Sequence, residues 1–365
     1  MYYIILYFSL QKYPIRRSKT PPLQDTETFR ERNVELLCYG RYEIVPWYYS
    51  PYPNDFGATI KRLYVCENCL RYMKDDGQLS SHKLHCRNKP PPGTVVYATE
   101  HLKIYEINGE DHKFYCQNLC LLAKLFLDHK TLYYDVDGFM FYVLTETTNN
   151  KDLVVGYFSK EKISYDNYNL ACIMTLPSHQ RKGYGRLLIE WSYELSRREG
   201  VIGSPEKPLS ALGLLGYHSY WSSLVLSVLQ KIKEQVTIAT ICQITRLHEN
   251  DVIDTLSRLG LLRYQEEQNE KCGDNNVSIQ MESTNDVSSP SSLPSPLSMK
   301  SKSKSPSSST ITTANTTATA TAIYTNSYHF STSAIIHITP EMIQETIKKH
   351  RIHFYRKLDP KCILI

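Results

Sequence analysis

Apolar positions gather from about Arg32 onward, first Val34, Leu36 and Leu37, then Tyr42, Ile44, Val45 and Trp47. From there to about Tyr264 no low-complexity break interrupts the pattern, which predicts a globular body large enough to bury a full core. Within it, Asn169-Leu-Ala-Cys-Ile-Met-Thr-Leu176 reads as a short apolar strand halted by Pro177. Leu187, Leu188, Trp191 and Leu195 then share one face of a helix that Gly200 can terminate. Further on, Ile238, Ile241 and Ile244 precede a polar turn, and Val252, Ile253, Leu256 and Leu259 follow it before Gly260, which predicts two short helices in a helix-turn-helix-like element. Reading DNA would need a basic second helix, whereas this one opens with Glu249 and Asp251, so a packing role is expected.

The flanks read differently. Residues 1–31 mix Pro, Lys, Arg and Thr without periodicity and are expected to form a loosely ordered arm. Residues 265–333 turn to Ser, Thr, Asn, Pro and Ala, too little apolar surface to offset the entropy of ordering them, and read as a disordered insertion. Ala334-Ile-Ile-His-Ile338 is strand-like, and Thr339 can cap a helix opening at Pro340 and Glu341. Residues 334–365 are therefore expected to pack back on the body.

Composition excludes more than it names. Of 365 residues, 41% are hydrophobic and 22% charged, ordinary for a soluble protein. No run approaches the roughly 20 apolar residues of a membrane helix. Met1 to Leu10 lacks both the preceding basic residue and the following cleavage site of a secretion signal. The net charge of +5 permits a polyanionic partner. Ten cysteines are too few and too unevenly placed for a disulfide scaffold, and they fit a reducing compartment.

Four ligand-type residues stand at metal spacing. Cys66-Glu-Asn-Cys69 forms a knuckle, and after twelve residues His82 and Cys86 follow four apart, which puts them on one helical face. Two thiolates, an imidazole and a third thiolate complete a tetrahedron and leave no open position, so structural Zn2+ is expected. His85 is the rival imidazole, but beside Cys86 it projects elsewhere. A single finger without a basic base-reading stripe is expected to brace the fold, and direct sequence-specific DNA binding is not expected.

Between the apolar strand and its helix, Gln180-Arg-Lys-Gly-Tyr-Gly185 sets two glycines at a strand-to-helix turn. Glycine lets backbone N–H groups approach an anion, and the helix N-terminus favours a pyrophosphate. Arg181 and Lys182 add charge. The run is neither the GxxxxGK[ST] nucleotide loop nor the GxGxxG dinucleotide fingerprint. It has the Q/R-x-x-G-x-G/A form of acetyltransferases that hold coenzyme A.

The chain resembles the MYST family of histone acetyltransferases, most nearly the males-absent-on-the-first type, over about Tyr42 to Tyr264 and the last thirty residues. The resemblance rests on Trp47-Tyr-Tyr-Ser-Pro-Tyr-Pro53, the Cys-Cys-His-Cys finger, Pro91-Pro-Gly93, the long run from Tyr115 to Val136, Val155-Gly-Tyr-Phe-Ser-Lys-Glu-Lys162 and Gly203-Ser-Pro-Glu-Lys-Pro-Leu-Ser210. It implies a mixed α/β (α+β) acetyltransferase core, GNAT-like, between an N-terminal zinc-finger lobe and a C-terminal helical lobe. The expected division is 32–92, 93–220 and 221–264, with 334–365 packed on the body. It also implies a nuclear enzyme that moves acetyl from acetyl-CoA to a lysine of histone tails in nucleosomes, as a subunit of a chromatin-modifying complex. By motif match, Glu206 corresponds to the general base and Cys172 to the active-site cysteine. Ile173, Met174, Thr175, then Gln180, Arg181, Lys182, Gly183, Tyr184, Gly185 and Arg186, with Ser210 and Ser219, fall on the acetyl-CoA contacts. Lys130 matches a lysine that family members acetylate on themselves.

The chemistry asks for such residues in its own right. A protonated lysine needs roughly 4 to 5 kcal/mol to free its lone pair at neutral pH. A partly desolvated carboxylate with a raised pKa can accept that proton as the amine attacks the thioester. Pro205 and Pro208 flank Glu206, and N–H groups around Ile173 to Thr175 can meet the developing oxyanion. Direct attack is favoured over an acetyl-Cys172 intermediate. Three departures from the family pattern stand out: Ala211 where aspartate is usual, Pro177-Ser-His-Gln180 where Pro-Pro-Tyr-Gln is usual, and Asp137-Gly138 where Glu-Pro is usual. The first motivates an alternative reading, a catalytically weakened chromatin scaffold of the same fold.

Overall fold

In the computed structural model, β1 (Val34–Tyr39) buries Val34 on one face and Leu37 and Tyr39 on the other, with Glu35 exposed at its start. The structure describes residues 31–86, 89–148, 151–232, 236–262, 335–336 and 338–365. All of them fall in the unit formed by Met1–Arg263 and Ser331–Ile365. β1 joins β2 (Tyr42–Ile44), β3 (Ile60–Val65) and β4 (Tyr72–Met73) in a four-stranded sheet of order β2-β1-β3-β4, and α1 (Asp76–Cys86) follows.

The central sheet is antiparallel. It comprises β5 (Thr94–Ala98), β6 (Leu102–Asn108), β7 (Phe139–Thr148), β8 (Lys151–Glu161) and, beyond β9 (Tyr168–Leu170), β10 (Cys172–Thr175), in the order β10-β8-β7-β6-β5. On one face Phe141, Val143, Tyr157 and Met174 pack with Leu119 and Leu122 of α2 (Lys113–Lys124) and with Leu37 and Leu63, so one hydrophobic cluster runs across the expected 92/93 division. On the other face Tyr142, Leu144 and Phe158 meet Leu187, Leu188, Trp191 and Leu195 of α3 (Tyr184–Glu199), the four positions that helical spacing predicts. A Cβ at Gly156 would lie 2.7 Å from the Met174 carbonyl oxygen, so glycine is what lets β8 and β10 approach there.

The predicted strand from Asn169 to Leu176 is in fact two. β9 pairs in parallel with β11 (Ser204–Pro205) in a separate two-stranded sheet, and β10 pairs with β8. The break falls at Ala171, whose N–H donates to the Ser159 carbonyl at 2.7 Å although Ser159 stands opposite Cys172. That one-residue slip carries β9 off the main sheet, where it supports the segment leading to Glu206.

The helical lobe holds α4 (Ala211–Leu229), β12 (Val236–Thr237), α5 (Ile238–Thr245) and α6 (Glu249–Arg258). The two helices match the predicted element, except that Leu247 in its polar turn is fully buried. β13 (Ile335–Ile336) pairs antiparallel with β12, and Thr339 Oγ1 caps α7 (Pro340–His350) by accepting from the Met342 N–H at 3.3 Å. Ala334 and His337 of the expected strand lie outside the described residues, as do the arm up to residue 30 and the stretch 265–333. At the chain's end Leu358 joins the cluster under α3, and the Leu364 N–H donates to the Val96 carbonyl at 2.9 Å. Among the described residues no helix is long and apolar enough to cross a membrane, and the described cysteines are free.

A candidate acyl-transfer site and metal centre

Cys66 and Cys69 sit in the turn between β3 and β4, and His82 and Cys86 share a face of α1. Cys69 Sγ lies 3.1 Å from His82 Nε2 and Cys66 Sγ lies 3.8 Å from Cys86 Sγ, with all four ligand atoms within 4.8 Å of one another. A tetrahedron with bonds of about 2.0 to 2.3 Å has edges of about 3.3 to 3.8 Å, so the four donors are gathered close to the spacing that zinc requires. His85 stays outside, its Nδ1 3.2 Å from the Ser81 carbonyl. Four protein donors close the site, which is structural and sits over Met73 and Leu79.

Glu206 follows β11 directly, and its N–H donates to the Leu170 carbonyl at 2.8 Å. The loop is held from behind by Asp251 of α6, whose buried carboxylate accepts from Ser204 Oγ at 2.7 Å and from Lys207 Nζ at 2.8 Å. Gly203 exchanges backbone hydrogen bonds with Arg246 and His248, which ties the same loop to the α5–α6 turn. Lys207 is thereby drawn to Asp251 and not to Glu206. Partial burial and then the neighbouring carboxylate of Glu161 hold Glu206 above the usual carboxylate range, with Lys130 acting in the opposite direction.

Cys172 opens β10, half-buried, its N–H on Ser159 Oγ at 3.3 Å. Lys130, only 7% exposed, places Nζ 3.9 Å from Cys172 Sγ and also faces Cys120. Burial lifts the Cys120 thiol above its ordinary range, against the pull of Lys130. The wholly buried Tyr157 hydroxyl beside these thiols has no hydrogen-bond partner among the described residues. β10 is an edge strand, and Leu176 N–H pairs inward with the Val155 carbonyl. Antiparallel alternation then turns the N–H groups of Ile173 and Thr175 away from β8, while Met174 faces the core. Gln180 Nε2 donates to the Thr175 carbonyl at 3.2 Å on that open side.

Past Gln180 the chain curls through two left-handed residues, Arg181 at φ 64° and Gly183 at φ 88°, the latter the N-cap of α3. The first helical bond runs from the Leu187 N–H to the Gly183 carbonyl, so the N–H groups of Tyr184, Gly185 and Arg186 precede it at the open helix end. Arg181 and Lys182 are exposed beside them. Arg186 points its guanidinium inward, onto Glu190 at 2.6 Å and Ser223 at 2.7 Å. Ser210 caps α4, accepting from the Gly213 N–H at 3.1 Å, and Ser219 is exposed further along that helix.

Lys357 escapes motif reading altogether. A Cβ at Gly183 would meet its Cε at 2.5 Å and its Nζ at 3.1 Å, so the lysine stem lies on the glycine turn with its cation beside the open helix end. Glu190, buried in α3, fixes it there by accepting from the Lys357 and Leu358 N–H groups at 2.8 Å each. Asp251 lies 45 residues from Glu206 and Lys357 lies 174 residues from Gly183, beyond any local pattern.

An antiparallel sheet whose edge strand passes through a glycine turn into a helix is thus joined to an N-terminal finger with a thiolate–imidazole donor set. The chain belongs to the MOZ/SAS family, matched over residues 90–294, with a MYST family zinc finger domain over residues 31–86. It is 48% identical over 256 residues to histone acetyltransferase of the MYST family 2 of Arabidopsis thaliana, covering 70% of this chain and 57% of that one. It is 49% identical over 241 residues to histone acetyltransferase MOF of Drosophila melanogaster, covering 66% of this chain and 29% of that one. A putative MYST-like histone acetyltransferase 1 of Oryza sativa subsp. japonica is 48% identical over 256 residues, covering 70% of this chain and 57% of that one. The chain thus spans less than two thirds of the length of these relatives.

Proposed function

We propose that this chain is an acetyl-CoA-dependent lysine acetyltransferase acting on histone tails of nucleosomes in the nucleus, as part of a chromatin-modifying complex. The observation that carries the reading is the clamped Glu206 loop, whose carboxylate is held above its ordinary value and shares a neighbour, Lys130, with Cys172 of β10. Glu206 accepts the ammonium proton, the freed amine attacks the acetyl carbonyl, and the thioester C–S bond breaks; the departing thiolate takes the proton the amide nitrogen gives up, and Glu206 returns its own to solvent. The outward N–H groups of Ile173 and Thr175 receive the charge that develops on the carbonyl oxygen. The N–H groups of Tyr184, Gly185 and Arg186, with Arg181 and Lys182, hold the pyrophosphate, Gln180 braces the turn against Thr175, and Ser210 and Ser219 line the coenzyme's path along α4. Cys172 serves this direct attack as a neighbour rather than as an acyl carrier, and Lys130 beside it is the site of self-acetylation.

Incubating purified protein with labelled acetyl-CoA and nucleosomes, beside a Glu206→Gln variant, tests the reading. Label transfer abolished by the substitution supports it. Coenzyme binding without transfer by the unaltered protein would favour the scaffold reading that Ala211 motivates.

A further inference from the structure

A charge cluster around the buried His179 lies beside the glycine turn, and of its members only Lys182 has a part in the coenzyme loop described above. His179 is fully buried, its ring edge-on to Tyr42 with centroids 4.9 Å apart, and Nδ1 lies 2.9 Å from Ser178 Oγ. Nε2 lies 3.5 Å from Glu146 Oε2 and has no hydrogen-bond partner among the described residues. Glu146, from β7, holds Lys182 Nζ at 3.2 Å and faces the Tyr184 hydroxyl. Arg41, in the β1–β2 turn, is the remaining charge facing the imidazole. Burial first, then Lys182, keep His179 down at about 4, so it is neutral and Lys182 balances Glu146.

A diphosphate on the loop upsets this balance. Lys182 is half exposed and free to swing toward the new anion. Its departure strips Glu146 of its cation and removes one of the charges that hold His179 low, while the phosphates themselves favour a protonated imidazole.

We propose that His179 and Glu146 are positioning residues that act through Lys182: as the coenzyme's diphosphate takes Lys182, His179 binds one proton from solvent and replaces it as the partner of Glu146. Only a proton is gained and no bond to carbon changes. The inference rests on the reading that this loop binds coenzyme A. Its consequence is that coenzyme affinity falls as pH rises, because the complex holds a proton that the free protein lacks.

Titration calorimetry of coenzyme A into the full chain, at pH 6.5 in two buffers of different ionisation enthalpy, counts the protons bound. The comparison is His179→Tyr, the aromatic usual at this place in the family, with Glu146→Gln as a second variant. The ligand's own phosphate and thiol contribute equally to all three proteins and cancel. The unaltered protein should take up about half a proton more than either variant. Its affinity should also fall about threefold more steeply between pH 6 and pH 8. Equal proton counts in the unaltered protein and His179→Tyr overturn the proposal while leaving coenzyme binding intact. Absence of any binding overturns the coenzyme reading itself and this inference with it.

Discussion

Asp251 accepts a hydrogen bond from Lys207 at 2.8 Å, and through it a helix distant in sequence grips the residue next to Glu206. The same carboxylate takes Ser204 on the other side of Glu206 at 2.7 Å, so the loop is clamped at both shoulders. Asp251→Asn keeps an acceptor for Ser204 but gives up the ion pair, whose lysine is half exposed. The expected loss of stability is only about 1 kcal/mol in urea unfolding. Turnover should fall about tenfold with little change in KM for acetyl-CoA, because positioning is lost and the coenzyme's contacts are not. An unchanged kcat would show that the clamp is merely structural.

Glu206 is expected to set the acidic limb of the pH profile. A base works ionised, so with its pKa raised kcat/KM declines as pH falls through a value above the usual carboxylate range. Glu206→Gln should lower transfer by about 10² to 10⁴. Glu161→Gln removes the like charge that helps raise it, and the limb should move to lower pH. A profile of Glu161→Gln that coincides with the unaltered one would refute this coupling.

Zinc removal should unfold the N-terminal lobe. The four donors gather around one point, and β3, β4 and α1 share the small core beside them, so chelation or Cys86→Ser is expected to lower the melting temperature and release one equivalent of zinc. Metal analysis alongside circular dichroism checks both. Chelated protein that keeps its melting temperature argues against a structural metal.

Lys357→Ala should weaken acetyl-CoA binding by about fivefold, roughly 1 kcal/mol, since a cation beside the diphosphate is removed while the Glu190 anchor to the backbone remains. The effect should shrink at high salt. Equal KM values for acetyl-CoA at low salt would exclude the lysine from the site.

Much of this was legible locally. The finger spacing, the face of α3 and the cap at Thr339 each follow from residues within a few turns of one another, where helical geometry is the only constraint. The break at Ala171 was not, because both halves of the run are equally apolar and only pairing with β11 tells them apart. Leu247 looked polar by its neighbours yet is buried, since its turn packs against the base loop through Gly203. Asp251 seemed merely an acidic helix start, and its partners lie on a loop that the local pattern cannot bring to it.

The seat of Leu358 and Leu364 has a temporal side. A protein emerging from the ribosome presents α3 and the glycine turn long before the segment that seals them from below. The hydrophobic cluster beneath α3 is therefore completed last, after the Ser- and Thr-rich stretch has been made, and a nascent chain lacking those final residues has the helix but an unfinished packing surface under it.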